Sequence, residues 1–423
     1  MPHGPYFGEV SHSYDFTKER FHIMTKPLKQ QKTVLLILLS NIFIVFLGVG
    51  LIVPVMPSFM NMMNLSGQSM GYLMAAFAFA QLLMSPLAGR WIDTYGRKKM
   101  IIIGLFLFAI SEVIFGIGTH VSILYFSRIL GGISGAFIMP AVTAFIADIT
   151  SVEERPKAMG YVSAAISTGF IIGPGIGGFI AELGVRAPFY FAAGFAVLTC
   201  ISSLFILKEP LTKQQLLEIS KLKKDTNLVT DLKRSLQPLF IIAFIIVFVL
   251  AFGLSAYETV FSLYSDHKFG FTPQDIATII TISAIFGVVV QVFMFGKMVD
   301  ILGEKKLIQI CLIAGVILAV ASTMVSSYLA VLIITCLIFL AFDLLRPALT
   351  TYLSKSAEKE QGFIAGMNST YTSLGTIVGP ALSGILFDVN INYPYLFSAV
   401  IMFIGLVITM MWKEKQLVNH LGK

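Results

Sequence analysis

Gly89–Lys99 reads GRWIDTYGRKK, and Gly296–Lys306 reads GKMVDILGEKK. Gly89, Asp93, Gly96 and Lys98 of the first stretch match Gly296, Asp300, Gly303 and Lys305 of the second, 207 residues on. Pro140 and Pro347 share that offset. Gly160, Gly173-Pro174, Gly178 and Pro188 match Gly366, Gly379-Pro380, Gly384 and Pro394 at 206. One deletion accounts for the whole alignment, so the chain reads as two copies of one unit.

Working outward from these stretches, long apolar runs flank both. The 423 residues are 56% hydrophobic and 13% charged. Soluble chains carry about 25% charged residues, and a chain this long and this apolar does not make a single water-soluble core. A spanning helix needs about 20 mostly apolar residues. Twelve such segments occur, near 34–60, 70–92, 100–118, 122–148, 158–182, 188–207, 237–264, 274–299, 306–325, 328–353, 362–387 and 394–412. The runs are continuous rather than alternating, which excludes a barrel of strands. The expected fold is an all-α polytopic membrane protein of two six-helix halves, 34–207 and 237–412. A charged, amphipathic linker, 208–236, joins them, and polar tails, 1–33 and 413–423, flank them.

The basic residues set the orientation. With the N-terminus in the cytoplasm, 26 of the 30 Lys and Arg fall in cytoplasmic segments, and only Arg186 and Lys268 fall outside. Arg128 and Arg346 lie within spans. Both termini are therefore expected in the cytoplasm. The net charge of +7 is a property of the face toward anionic inner-leaflet lipids, not a nucleic-acid footprint. The tail 1–33 has no apolar run and thus no signal peptide. Met24, which opens MTKPLKQQK, is an alternative start.

Other chemistries lack their residues. Cys200, Cys311 and Cys336 all lie in apolar segments and form no CxxC pair, so neither a disulfide framework nor a metal site is expected. The six histidines lie in tails or short loops, which leaves carboxylates for any deep proton relay. There is no GxxxxGK[ST] stretch, so ATP is not the expected energy source. GPGIGG at 173–178 formally matches GxGxxG, but it sits in mid-span and lacks the strand and helix start that a dinucleotide site requires.

Asp343 is the most informative side chain. It lies 12 residues before Lys355, roughly 18 Å from the cytoplasmic end at the helical rise. A carboxylate at that depth is costly and usually functional. Pro347 leaves the Asp343 backbone carbonyl without its helical donor. Arg346, on the same helix face, favours the charged form of Asp343, whereas burial favours the neutral one. The competing reading is a permanent Asp343–Arg346 ion pair. Glu258 lies eight residues before Asp266, roughly 12 Å below the outer surface, among Phe252, Tyr257 and Phe261. An acid with aromatic neighbours suits a lipophilic cation; the alternative is a glutamate hydrogen-bonded to an adjacent helix. Arg128, about 12 Å from the outer end of its span, needs acceptors or a carboxylate. Glu112 reads as an interhelical hydrogen-bonding group. Pro174 and Pro380 free the carbonyls of Phe170 and Thr376, and the neighbouring glycines let another helix approach closely.

GRWIDTYGRKK, LYFSRILGGISGA (124–136), GFIIGPGIGG (169–178) and GLIVPVMP (50–57) resemble, as a set, the motifs of the major facilitator superfamily. LAFGLSAYETVFSLY (250–264) and AFDLLRPALTTY (341–352) resemble its NorA and Bmr type of bacterial multidrug (quinolone) efflux pump. Ser167 and Thr376 depart from that type, which has asparagines there. The resemblance implies a multi-pass protein of the bacterial cell membrane, monomeric and not an enzyme. It needs no cofactor and draws on the proton motive force to export amphipathic and cationic drugs, fluoroquinolones included. It implies proton coupling through Glu258, Asp343, Arg346 and Arg128. The implied substrate cavity is lined by Phe46, Val49, Val53, Gln81, Phe170, Glu258, Phe339, Phe342 and Asp343. Gating is implied at a cytoplasmic charge latch containing Asp93 and Arg97, and at a seam between the halves built on Gly173, Pro174 and Gly177. Glu304 stands where Arg97 stands in the first copy, so the latch is not symmetric. The competing functions are an exporter of one metabolite or sugar, which would favour polar amides in the cavity, and a membrane sensor, which would need an appended soluble domain.

Overall fold

The computed structural model describes residues 28–151, 154–222, 228–356 and 361–411. The expected alternative start, most of the N-terminal tail and the tail 413–423 lie outside the described residues. Every described element is helical, and twelve helices are long and apolar enough to cross a bilayer. The first span is broken. Helix α1 (Leu28–Ile52) ends in a 3-10 turn, Val53–Val55, and continues as α2 (Met56–Met62). Pro54 and Pro57 each remove a backbone donor and clash with the preceding turn, which accounts for the break. The first half continues with α3 (Gly67–Tyr95), α4 (Arg97–Ile117), α5 (Val121–Ile149), α6 (Arg155–Ile180) and α7 (Ala187–Ile206). The linker contributes two short helices, α8 (Lys213–Leu222) and α9 (Leu228–Ser235). The second half comprises α10 (Pro238–Phe269), α11 (Pro273–Leu302), α12 (Glu304–Met324), α13 (Tyr328–Ser356), α14 (Gln361–Val389) and α15 (Tyr393–Met411).

The repeated motif owes its glycine to geometry. Gly96 alone links α3 to α4, and Gly303 alone links α11 to α12, with φ of 99° and 74°. Only glycine takes such a conformation without strain. The packing repeats as well. In the first half α1 packs on α6 and α7, α3 on α5, and α4 on α5 and α7. The second half copies this, with α10 on α14 and α15, α11 on α13, and α12 on α13 and α15. The halves meet along α3 against α14 and α6 against α11, two crossings related by the same repeat.

Within each half small and polar residues bind the helices together, as membrane packing favours. Asn41 Nδ2 donates to Ser203 Oγ at 2.8 Å, Ser134 Oγ to the Gly104 carbonyl at 2.9 Å, and Ser398 Oγ to the Gly253 carbonyl at 3.2 Å. Phe59, Phe115 and Phe189 form a ring cluster with centroids 4.8–5.2 Å apart. Ile301, Phe205 and Phe293 are exposed by 73% or more, as expected of side chains that face lipid rather than water.

One boundary differs from the sequence expectation. Helix α10 runs on to Phe269 and is capped by Gly270 in the left-handed conformation, φ 67°. Asp266 and Lys268, expected in a loop, therefore occupy its last turn. The Lys268 ammonium donates to Tyr264 Oη at 2.6 Å and to the Thr323 carbonyl at 2.7 Å. These acceptors make the extra turn tolerable for a charged side chain.

Candidate functional site

Near the middle of their helices, α10 presents Glu258 and α13 presents Asp343 and Arg346. Glu258 is exposed although Tyr257, Thr259 and Val260 on either side are buried, so its carboxylate faces open space. Asp343 is half-buried and Arg346 exposed. Each lies within electrostatic range of its neighbours: Glu258 feels both Arg346 and Asp343, and Asp343 feels Arg346. Among the described residues no ion pair within 4.0 Å joins them. The permanent Asp343–Arg346 pair entertained from the sequence is absent. The structure thus brings two acids and one base to one place without letting them neutralise each other directly.

Of the nearby aromatic side chains, Phe339 lies one turn before Asp343 and is half-buried, whereas Tyr257, Phe261 and Tyr395 are buried in the core of the second half. The Tyr257 ring packs against Phe261 at 5.9 Å, Phe339 at 6.0 Å and Tyr395 at 5.0 Å. From the first half, Phe46 and Phe170 face each other at 5.0 Å between α1 and α6, and Phe170 is 41% exposed. Val49, Val53 and Gln81 are half-buried; Val53 packs against the core of the second half. Phe342 departs from the expectation. At 3% exposure it belongs to the core of the second half, because one step along α13 from Asp343 turns a side chain by about 100°.

Arg128 is not part of this group. Its Nη2 lies 3.1 Å from Glu112 Oε1, and its guanidinium stacks over Phe115 at 4.2 Å. Ser127 Oγ donates to the Ser111 carbonyl at 2.7 Å alongside. The structure thus places Arg128 in a seam between α4 and α5, apart from Glu258, Asp343 and Arg346. Glu112 is the interhelical partner expected of it.

At the basic end, Arg97 is buried. Its Nε donates to Asp148 at 2.8 Å, and Nη2 lies 3.5 Å from Asp93. Glu209 accepts from the first two backbone amides of α4, Arg97 at 3.0 Å and Lys98 at 2.9 Å. Carboxylates are favoured at that helix end by its partial positive charge. Asp148 and Glu209 escaped the sequence reading, although Asp148 ends a span, Glu209 lies just beyond one and both are close to a basic loop.

The gating glycines also differ from expectation. Gly173, Pro174 and Gly177 press on α1 of their own half: Gly173 meets Gly50 and the Leu47 carbonyl, and Gly177 meets Leu51. The residues that meet the other half are Gly175, against Thr281, and Gly178, against Ala277 and the Pro273 carbonyl. Helical periodicity explains the division, since 169, 173 and 177 share one face and 175 and 178 the next. The second copy behaves alike. Gly379 packs on α10 of its own half, and Gly384 packs on Gly67 and Gly71 of the other.

The cross-half hydrogen bonds seen among the described residues lie toward the end away from the basic motifs. Asp388 accepts from the amides of Gly67 and Gln68, Asn61 Nδ2 donates to Asp266 at 3.0 Å, and Gln274 Nε2 donates to Glu182 at 3.1 Å. Thr281 Oγ1 donates to the Ile171 carbonyl at 3.3 Å, deeper in the bundle.

Two pseudo-symmetric six-helix bundles, the second carrying unpaired charges deep in its helices, define a membrane transporter of the secondary type. The sequence profile described as Major Facilitator Superfamily matches residues 38–268 and 243–420, and the chain belongs to that superfamily. It is 66% identical to Multidrug resistance protein 2 of Bacillus subtilis (strain 168), covering 93% of this chain and 98% of that protein. It is 41% identical to the Quinolone resistance protein NorA of Staphylococcus aureus (strain MRSA252), covering 89% and 96%. The resemblance to the NorA type is thereby established, and the protein is a multi-pass component of a bacterial cell membrane. Among solved structures, a bacterial homologue of the lysosomal transporter Spinster, inward-facing and occupied, superposes with a TM-score of 0.76 at 15% identity. The match covers 91% of this chain and 97% of that one. At that identity the likeness speaks to the fold alone.

Proposed function

We propose that this transporter is a proton-driven exporter of amphipathic and cationic drugs, fluoroquinolones and dyes among them. The carrying observation is the unpaired trio of Glu258, Asp343 and Arg346, with half-buried Phe339 one turn before Asp343. An ionised carboxylate inside a membrane protein is stable only with a counter-charge or a proton. A lipophilic cation supplies the first and gains ring contacts as well. The relatives named for multidrug and quinolone resistance support this substrate class.

The basic end faces the cytoplasm, in keeping with the distribution of Lys and Arg. With the halves joined at the opposite end, drug enters from the cytoplasm or inner leaflet and meets Glu258 or Asp343. After the halves rock, protons from outside neutralise the acids, the attraction weakens and drug leaves. The return step then carries neutral carboxyl groups, avoiding the cost of enclosing bare charge. Drug and proton compete for one electrostatic vacancy. The energy source is the proton motive force, and the transporter acts as a monomer. Ethidium efflux from loaded cells tests this reading. A protonophore should stop efflux, and efflux that continues at full rate contradicts proton coupling.

A further inference from the structure

Gly287, on α11, is buried. A Cβ built there would land on the Asp343 carboxylate, with Oδ2 nearest; the next atoms are Cγ and Cβ of the same side chain, at 3.4 and 3.9 Å. No other residue presses on the position. The seam glycines are different in kind: Gly173, Gly177 and Gly379 each meet the backbone of a neighbouring helix. One turn before Gly287, Ser283 Oγ lies 3.3 Å from Cys336 Sγ of α13, which fixes the two helices against each other.

The internal repeat gives an independent comparison. At the offset of 207, the first half has Ala80 for Gly287 and Ala136 for Asp343. Helices α3 and α5 pack together as α11 and α13 do in the second half, with Ala80 meeting Gly132, one turn before Ala136. A Cβ is present where no carboxylate needs room and absent where one does.

We propose that Gly287 is a positioning residue for Asp343: its missing side chain forms a notch on α11 that receives the carboxylate and holds it off Arg346. This inference rests on the coupling role given to Asp343 above. The charged groups around Asp343 are Arg346 on its own helix and Glu258 on α10. Helix α11 carries no titratable side chain between Asp275 and Lys297, so the notch acts by shape. Filling it drives the carboxylate toward Arg346, into the pair that the present arrangement prevents. The acid then takes up and releases its proton poorly, while Glu258 remains open to the drug.

The full-length protein in proteoliposomes tests this with Gly287→Ala, Asp343→Asn, Asp343→Ala and the Gly287→Ala/Asp343→Ala double variant. Two transport readouts are needed, ethidium movement driven by an imposed pH gradient and gradient-free ethidium exchange. Gly287→Ala should lower driven transport about tenfold and leave exchange within about twofold, a split that a general packing defect would not produce. Thermal stability is read in parallel. The double variant, which carries the Ala/Ala pair of the first half, should regain any stability that Gly287→Ala alone loses. If the double variant stays as unstable as Gly287→Ala, the clash is with something other than Asp343 and the proposal falls. If Asp343→Asn loses driven transport while Gly287→Ala keeps it, the proposal falls and the coupling role stands. Full driven transport by Asp343→Asn overturns the coupling role and the notch with it.

Discussion

The Asp388 carboxylate, in the last turn of α14, accepts hydrogen bonds from the backbone amide of Gly67 at 2.7 Å and from the next amide at 2.9 Å. Donor and acceptor belong to opposite halves. The first amides of a helix have no partner within it, and they carry its partial positive charge. Asp388 thus supplies in trans what an N-cap supplies in cis, and Phe387 beside it fills the space above Gly67. Hydrogen bonds to charged groups contribute about 1.5–3 kcal/mol each, and partial exposure of this pair places it toward the low end. Replacing Asp388 by Ala should move the population toward the state open at this end by about tenfold. Spin labels at Leu183 and Val389, both exposed at that end, would report a longer distance. An unchanged distance distribution contradicts the latch.

Glu258 offers a test of charge recognition. At 4 Å and an effective dielectric constant of 20 a charge pair is worth about 4 kcal/mol before desolvation. Glu258→Gln should weaken binding of a monovalent lipophilic cation such as tetraphenylphosphonium at least about tenfold, and a neutral substrate much less. Calorimetric titration of the purified protein measures both. Equal losses for the two ligands would mean that Glu258 shapes the cavity rather than attracting charge.

The Arg128–Glu112 pair makes a structural prediction. Removing one member leaves the other charged and buried, at a cost of about 3–5 kcal/mol. Arg128→Met should therefore lower the melting temperature markedly, and Arg128→Met with Glu112→Leu should recover most of the loss. A double variant as unstable as the single one would show that the ion pair is not what Arg128 contributes.

The fold was legible in the sequence because its signals are long. Apolar runs of twenty residues, the offset of the GRWIDTYGRKK repeat and the placement of Lys and Arg survive any local ambiguity. The acids were legible too, since Asp343 and Glu258 interrupt apolar helices in which the one other deep charge is Arg346. What was hidden depends on rotation about a helix axis. Phe342 and Asp343 are adjacent in sequence but point differently, and Gly173 and Gly175 face different halves for the same reason. Arg128 could be seen to need an acceptor, yet not that Glu112, sixteen residues earlier, would supply it. Gly287 gave no signal by itself, because its meaning appears only when Asp343 is placed against it or when the two halves are aligned.

The direction of pH dependence follows from the proposed cycle. Protons must reach the acids from outside to release drug, so acidifying the outer face at constant inner pH should accelerate export. Acidifying the inner face should slow it, because neutral acids no longer attract a cation. Inverting the gradient across vesicles of known protein orientation measures both arms, and an export rate indifferent to the sign of the gradient contradicts the cycle.

The most direct test places the purified protein in proteoliposomes, imposes a pH difference and follows ethidium. Wild-type protein should drive ethidium against its gradient only while the pH difference lasts, and Asp343→Asn should bind ethidium and fold normally without driving it. Uphill movement that persists after both the pH difference and the membrane potential are collapsed, or that Asp343→Asn performs in full, would contradict the account.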